Sequence, residues 1–202
     1  MSKIKRASLD YVTSKHEDSP GTKNHNLCEF RHGARTNAIN TDTCSCRGIC
    51  FCFIVKNNCT AVCSYQDIDT VPKTIPSNVN FLVLSHNHLM EIPNRTFYNM
   101  SDLIILELDY NYLKALPADM FERNGMLKKL VLSHNHLTEI PNRTFYNTSA
   151  LIKLELDYNY LKELPADLFG QDNMLKKLVL SHNHLRELPK RTFYNMSDLI
   201  IL

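Results

Sequence analysis

The sequence lacks any long hydrophobic run and any large excess of charge. The apolar stretch at residues 49–55 is far shorter than the roughly 20 residues that a membrane-spanning helix requires. A net charge of +2 is too small to favour nucleic acid or an anionic membrane as the main partner. We therefore expect no nucleic-acid partner, and membrane attachment only through a segment that follows Leu202.

The first residues lack the apolar core of a secretory signal peptide. Residues 1–24 contain basic side chains but no apolar stretch of about 7–15 residues. Since the features described below indicate secretion, we expect the true start to lie upstream. Residues 1–43 are polar and without periodicity, so they cannot bury enough apolar surface to offset the entropy lost on ordering. We predict that residues 1–43 are disordered.

Cysteine is absent from the longer, second part of the chain. All seven cysteines precede residue 64, and so dense a cluster is typical of a small disulfide-bonded module from an oxidising compartment. A zinc site built from Cys44-x-Cys46 and Cys50-x-Cys52 is the alternative, although C-x-C differs from the usual zinc-ligand spacing. The seven are Cys28, Cys44, Cys46, Cys50, Cys52, Cys59 and Cys63.

Acceptor motifs for N-glycosylation, N-x-S/T, also indicate secretion. Several are copies of one another, so they amount to fewer independent signals than their number suggests. Together with the cysteines they predict an extracellular or cell-surface location. The acceptors are Asn58, Asn94, Asn99, Asn142, Asn147 and Asn195.

From Val79 onward the pattern L-x-x-L-x-L-x-x-N-x-L recurs five times with a period of 24 residues, and Leu199 opens a sixth, incomplete copy. A fixed period of this length and spacing is the signature of a leucine-rich repeat solenoid. It predicts an α/β-type repeat with a parallel sheet on the concave side and a mostly irregular convex side. Because the last copy is interrupted, we expect the chain to be a fragment of a longer protein or an incomplete gene model.

Within each copy the L-x-L is predicted to be a short strand whose leucines point inward. The following Asn, such as Asn87, is predicted to bond backbone groups where the chain leaves the sheet, so that stacked copies form a ladder. One Phe in each copy, such as Phe97, is predicted to form a buried aromatic spine on the return path.

Equivalent outward positions of stacked copies form columns about 4.8 Å apart. They place a basic strip, an acidic strip and a His/Tyr strip side by side on the concave wall. Such a surface suits a protein or peptide ligand, because Tyr is enriched at interfaces, although strand surfaces need solvated neighbours in any case. The candidate ligand-binding residues are Glu107, Asp109, Tyr110, Lys129, His134, Lys153, Glu155, Asp157, Tyr158 and His182.

The same columns give little support to a metal, a cofactor or catalysis. Histidines of one column should lie two strands apart, roughly 9–10 Å, which is too far for a shared ion. Ser, His and Asp recur along an open surface instead of converging on one nucleophile, as a catalytic triad requires. We therefore predict no cofactor, no metal and no enzyme activity, and we note that the His column could make binding pH-sensitive.

Each copy begins with L-x-x-L-x-L-x-x-N-x-L and continues with a second half that contains LP or IP, and Phe. This pattern resembles the typical extracellular class of leucine-rich repeats. The run Cys46-x3-Cys50-x-Cys52-x6-Cys59 is similar to the cysteine-rich N-terminal cap of that class. The resemblance implies a Cys46–Cys52 disulfide and a second one from Cys50 to either Cys59 or Cys63. It leaves Cys28 and Cys44 surplus, and the odd total leaves at least one thiol unpaired or bonded to another chain.

These observations predict a disordered segment 1–43, a cysteine-rich cap 44–78 and repeats 79–202. The resemblance implies an extracellular recognition module, the N-terminal part of a receptor ectodomain that binds a protein or peptide ligand on its concave face. A secreted matrix protein resembling small leucine-rich proteoglycans is the alternative. A cytosolic scaffold would fit the absent signal peptide but would leave the cap unexplained. The oligomeric state and the ligand are not indicated.

Overall fold

The computed structural model describes residues 44–171, 173–194, 196 and 198–202. The predicted disordered segment 1–43, with Cys28, lies outside the described residues, as does the acceptor Asn195. The described strands form one sheet in chain order: the first two are an antiparallel hairpin, and from the second onward every pairing is parallel. The strands are β1 (Phe51–Val55), β2 (Asn58–Val62), β3 (Phe81–Val83), β4 (Ile105–Glu107), β5 (Lys129–Val131), β6 (Lys153–Glu155), β7 (Lys177–Val179) and β8 (Ile200–Ile201).

The repeat strands are as short as predicted but begin one residue earlier than the L-x-L. Leu82 lies at the centre of β3 and Leu84 just after it; both are fully buried. The parallel hydrogen bonds continue past the strand, since the amide of Leu84 donates to the carbonyl of Glu107 at 2.8 Å. The inward leucines are therefore confirmed, and the shift in strand bounds is the usual uncertainty of an element's end.

A ladder of asparagines ties each repeat to the one before it, as predicted. Asn135 accepts a hydrogen bond from the amide of Leu113 at 3.0 Å. Its amide group donates to the carbonyls of Leu108 and Leu132 at 3.0 and 3.1 Å. Each Asn thus satisfies backbone groups that the turn leaves without strand partners. The equivalent residues are Asn87, Asn111, Asn159 and Asn183.

The convex side is mostly irregular, and a column of phenylalanines fills the core beneath it. Among the described residues regular structure there is confined to a bridge between Phe145 and Phe169 and a short 3-10 helix, Lys190–Phe193. The predicted spine is confirmed: neighbouring rings lie 5.7 to 6.5 Å apart between centroids. Phe97, Phe121 and Phe145 are at most 1% exposed. No described helix is long and apolar enough to cross a membrane.

Three disulfides close the N-terminal end of the sheet. Cys46 pairs with Cys52. Cys50 pairs with Cys63, over a Cα–Cα distance of 4.4 Å. Cys59, the other candidate for Cys50, pairs with Cys44 instead, at a Cα–Cα distance of 5.4 Å. Cys44 is therefore not surplus, and these six sulfurs are bonded to one another and not to zinc.

Candidate functional site

A continuous stack of Tyr and His rings runs along the wall of the sheet, and we name it the inner ladder. Neighbouring centroids are 4.0 to 4.3 Å apart and neighbouring planes are inclined by 8 to 11°. Each inner ring therefore has both faces covered, and a Tyr separates successive histidines. The inner ladder comprises Tyr65, His86, Tyr110, His134, Tyr158 and His182.

Every residue of the inner ladder has a left-handed backbone, with φ between 53 and 56°. This conformation costs a non-Gly residue roughly 1–2 kcal/mol, and it is an outlier for bulky side chains such as Tyr. Glycine or asparagine would relieve that cost. The tyrosines therefore occupy their positions against the local backbone preference, and strained residues of this kind cluster at functional sites.

Ring spacing on the two sides of the solenoid is consistent with curvature toward the inner ladder. Across the same two repeats, the inner-ladder rings of His134 and Tyr158 lie 4.2 Å apart and the spine rings of Phe145 and Phe169 lie 5.7 Å apart. Adjacent strands are ordinarily about 4.8 Å apart. The inner ladder lies on the strand side of the solenoid, which the repeat period predicts to be the concave wall.

A second aromatic column, the outer ladder, runs beside the first, two residues further along each repeat. Its centroids are 5.5 to 5.8 Å apart and its planes are inclined by 32 to 83°. These rings do not cover one another's faces, and Tyr112 and Tyr160 are 43% and 47% exposed. The outer ladder comprises His88, Tyr112, His136, Tyr160 and His184.

A shallow groove separates the two ladders. His134 and Tyr158 line it from the inner ladder, and His136 and Tyr160 from the outer ladder. Asn135 and Asn159 also line the groove, and both are buried. Each lies in the sequence between an inner-ladder residue and an outer-ladder residue. The groove therefore has aromatic walls and a floor built from the asparagine ladder.

Ion pairs engage the basic and acidic residues beside β4, β5 and β6. The ammonium of Lys129 lies 2.6 Å from a carboxylate oxygen of Glu107, and Lys153 pairs with Glu155. Asp109 instead accepts a hydrogen bond from the hydroxyl of Ser85 at 2.6 Å. Asp157 accepts the equivalent bond from Ser133 at 2.5 Å. These serine hydroxyls thus donate their hydrogen bonds to carboxylates and not to imidazoles.

Burial shifts the pKa of three residues near the N-terminal end of this wall, Asp109, His86 and Tyr65. It raises the pKa of Asp109, an effect that the Ser85 hydrogen bond opposes. Burial lowers the pKa of His86, against the attraction of Asp109. Burial also raises the pKa of Tyr65, with Asp109 adding to the effect. Asp109 is therefore the carboxylate through which these three groups are coupled.

All ten candidate residues lie along one wall of the sheet, in the strands or in the turns that follow them. That they bind a ligand stays a prediction. The wall is less open than strand alternation predicts, because Ser85, Val131 and Ser133 are at most 6% exposed. The two serines are in contact with the next repeat, since their hydroxyls donate to Asp109 and Asp157.

Sequence reasoning missed the outer ladder and the contribution of Tyr65. The signal for the outer ladder was available, because His and Tyr also alternate one position after each ladder Asn. Tyr65 lies outside the repeats and has no periodic signal. It joins the stack because its amide donates to the carbonyl of Ser85 at 3.3 Å, which holds its backbone beside the first repeat.

The predicted glycosylation acceptors of the repeats lie away from the ladders. Asn94 and Asn142 precede the spine residues Phe97 and Phe145 in turns on the return path, and both are exposed. Asn99 and Asn147 follow the same phenylalanines and are also exposed. Asn58 is the first residue of β2 and is half-buried. Their modification stays a prediction.

Comparison with known proteins places the repeats in a family. A family model described as Leucine rich repeat matches residues 77–137 and 125–185. The chain belongs to the leucine-rich repeat family. Its repeats build the parallel sheet and the spine described above, and this family is generally one of non-enzymatic recognition modules.

Individual leucine-rich repeat proteins match over shorter stretches. Toll-like receptor 3 of Homo sapiens is 32% identical over 68 residues, which are 34% of this chain and 8% of that protein. Leucine-rich repeat-containing protein 3 of Danio rerio is 33% identical over 79 residues, which are 39% of this chain and 29% of that protein. Toll-like receptor 3 of Mus musculus is 32% identical over 77 residues, again 8% of its length. The match thus spans less than a third of each relative.

Proposed function

We propose that the chain is an extracellular recognition module, part of a leucine-rich repeat receptor ectodomain, and that it binds a protein or peptide ligand on its concave wall. The observation that carries this proposal is the inner ladder. Its rings occupy strained backbone positions, yet Tyr110 and Tyr158 remain 45% and 44% exposed. Exposed aromatic side chains at strained backbone positions support a role in recognition, because strained residues cluster at functional sites.

The cap and the family relatives support the extracellular location. Three disulfides persist in an oxidising compartment such as the cell exterior. Two of the similar proteins are named receptors. The exposed acceptors of the repeats flank the spine and not the ladders, so glycans there would leave the concave wall free for a ligand.

Recognition is favoured over catalysis by the pairing of the polar side chains. A nucleophilic Ser needs an imidazole base that accepts its proton. Here the hydroxyls of Ser85 and Ser133 donate hydrogen bonds to the carboxylates of Asp109 and Asp157. The imidazoles of His86 and His134 are stacked between phenol rings instead, so the arrangement supports a binding surface.

Selection of binders from a random library tests this proposal although the ligand is unidentified. A random peptide library displayed on phage would be selected against the secreted chain. We expect the selected peptides to bind the wild type and to lose at least about 10-fold in affinity for a His134→Asn/Tyr158→Asn variant. Tyr194→Ala is the matched control, because Tyr194 is 77% exposed and lies after the spine residue Phe193.

Two results would overturn the proposal. One is the absence of any selected binder. The other is a set of binders that lose affinity for Tyr194→Ala and not for the concave variant, since the recognition surface would then lie on the other side of the solenoid.

A further inference from the structure

An apolar patch without charge lies on the N-terminal end of the sheet, on its outer face. Phe53 pairs with Thr60 across the hairpin, and Thr60 pairs with Phe81 of β3. Side chains that pair directly across strands share one face. Ala61 and Leu82, on the opposite face, are fully buried in the core. We name the outer set the cap patch; it comprises Phe51, Phe53, Val55, Thr60, Val62, Phe81 and Val83.

The cap patch is most exposed on β1, which is the edge strand among the described strands. Phe51 and Phe53 are 53% and 46% exposed, and Val55 is exposed as well. β1 contains no charged residue. An exposed apolar edge strand is a template for pairing with other chains, and native proteins cover such edges or charge them. We therefore expect β1 to be covered in the native protein.

An N-glycosylation acceptor lies beside the cap patch and on the same face. Asn58 pairs directly with Val55 across the hairpin, and the Cβ atoms of such a pair are about 4.5–5.5 Å apart. Phe53 is the diagonal neighbour of Asn58 on that face, at roughly 7–8 Å. A sugar joined to the side chain of Asn58 is thus attached within reach of two exposed apolar residues of β1.

The local structure of Asn58 is compatible with that attachment. Its amide group donates an exposed hydrogen bond to the carbonyl of Lys56 at 3.2 Å. An asparagine amide has two N–H donors, and glycosylation replaces only one of them, so this bond can be retained. Lys56 and Asn57 both have left-handed backbone, as a two-residue hairpin turn requires. The turn therefore fixes the register that places Asn58 opposite Val55.

This environment distinguishes Asn58 from the other described acceptors. Asn58 lies in a strand, whereas the acceptors of the repeats lie in turns on the return path. Strand pairing places exposed apolar side chains directly beside Asn58. The repeat acceptors that lie in turns are Asn94, Asn99, Asn142 and Asn147.

We propose that the N-glycan of Asn58 covers the cap patch, with its first N-acetylglucosamine packed on Val55 and Phe53. The face of a pyranose that carries axial hydrogens packs on the electronegative face of an aromatic ring. The remaining sugars place a bulky, solubilising group beside the free edge of β1. The glycan also marks the N-terminal limit of the concave binding surface. This inference rests on the proposed function, because N-glycosylation requires the secretory route that an extracellular location implies.

Occupancy of the acceptor is the first test. The full chain would be secreted from cultured animal cells behind a cleavable signal peptide. After reduction, trypsin releases residues 57–73, and peptide N-glycosidase in ¹⁸O-labelled water converts a glycosylated Asn58 to labelled Asp. We expect mass spectrometry to find the label at Asn58. An unlabelled Asn58 would overturn the inference.

Two variants then remove this glycan by different changes. Asn58→Gln removes the acceptor, and Thr60→Val destroys the N-x-T motif but keeps Asn58. The buried hydroxyl of Thr60 has no hydrogen-bond partner in the described part of the chain, so its loss should not itself weaken the fold. We expect both variants to bind more anilinonaphthalene sulfonate, a dye for exposed apolar surface. Their Tm should fall by about 2–4 °C, the shift expected for one stacked ring pair in a chain of this size.

The matched control is Asn94→Gln, which removes a glycan from an exposed turn. This variant should keep the Tm and the dye binding of the wild type. Equal behaviour of Asn58→Gln and Asn94→Gln would overturn the inference.

Trimming separates packing of the first sugar from the bulk of the whole glycan. Endoglycosidase H cuts high-mannose glycans, obtained in the presence of kifunensine, down to a single N-acetylglucosamine. We expect the trimmed wild type to keep its higher Tm relative to Asn58→Gln. In a Phe53→Ser background the same comparison should show a much smaller difference in Tm. A difference that is unchanged by Phe53→Ser would show that the sugar does not pack on this ring.

Failure of this inference is distinguishable from failure of the proposed function. If Asn58 is occupied but its glycan has no effect, the packing is wrong and the concave recognition surface stands. If no acceptor is occupied and the cap thiols are free, the extracellular location is wrong as well. If the glycosylated wild type forms dimers in analytical ultracentrifugation that Phe53→Ser abolishes, a second copy covers β1, and the inference is wrong.

Discussion

The two sides of this solenoid carry aromatic columns of the same period with opposite properties. The spine is buried, with Phe121 only 1% exposed, and its rings are spaced widely. The inner ladder is partly exposed, closely stacked and held in left-handed backbone. One column fills the core beneath the convex side, whereas the other displays rings at left-handed positions, which tyrosine does not favour.

Two columns of one period can thus differ in role, one structural and the other functional. Repetition alone does not distinguish them, because both columns recur every 24 residues. Burial and backbone strain do distinguish them. A buried residue in relaxed backbone contributes to stability, and an exposed residue in strained backbone has a cost that the fold itself does not require.

The largest effect should come from the spine. Phe121→Ala removes a fully buried ring and leaves a cavity, so we expect the free energy of unfolding to fall by about 3–5 kcal/mol. Urea denaturation followed by circular dichroism measures this change. Tyr110→Ala is the matched control from the ladder and should cost much less. Equal losses in the two variants would contradict the distinction between the columns.

An intermediate effect is expected for the asparagine ladder, which joins the two sides. Asn135→Ala leaves the buried amide of Leu113 without a partner. The carbonyls of Leu108 and Leu132 each lose one of two donors and keep the one from Asn111 or Asn159. An unpaired buried group costs about 1–3 kcal/mol and a lost hydrogen bond about 0.5–1.5 kcal/mol, so we expect a loss of about 2–4 kcal/mol in urea denaturation. Asn183→Ala, at a half-buried position, should cost less. A larger loss at Asn183 would count against this account.

The sequence predicted the fold because a strict period specifies inward leucines, the Asn turn and the spine independently of tertiary detail. It could not decide the partner of Cys50, because Cys59 and Cys63 are both buried in or just after β2. Only their distances in the folded cap separate them.

The columns of the candidate site were likewise predictable, and the stacking was not. A period places His and Tyr in register, but the curvature of the solenoid and the side-chain rotamers decide whether rings meet face to face. His134 and His136 illustrate this, since the former is stacked between two tyrosines and the latter meets its neighbours at steep angles.

A smaller effect should come from the charge beside the inner ladder. Because burial raises the pKa of Asp109, the folded chain binds this proton more readily than the unfolded chain does. The wild type therefore loses stability as the pH rises through the folded-state pKa of Asp109, and Asp109→Asn does not. The amide can still accept the hydrogen bond from Ser85. Between pH 4 and neutrality we expect the free energy of unfolding of the variant to rise relative to that of the wild type, by about 1 kcal/mol or less.

Urea denaturation of both proteins at several pH values measures that difference. Asp102→Asn, at an exposed position, is the control and should show no such trend. A difference between Asp109→Asn and the wild type that stays constant with pH, or that shrinks as the pH rises, would show that burial of this carboxylate does not penalise the fold.

The smallest effect on stability, and the sharpest test of the contrast, should come from the inner ladder itself. Tyr158→Asn loses ring stacking on both faces, worth about 0.5–1.5 kcal/mol per pair, but asparagine tolerates the left-handed backbone that costs other residues roughly 1–2 kcal/mol. The two changes oppose each other, so we expect the free energy of unfolding to change by less than about 1 kcal/mol. Tyr158→Ala loses the stacking without relief of the backbone, and should be the less stable variant in urea denaturation. If the Asn variant were instead as unstable as the Ala variant, backbone strain would not oppose the ladder, and its rings would be structural in the same sense as the spine.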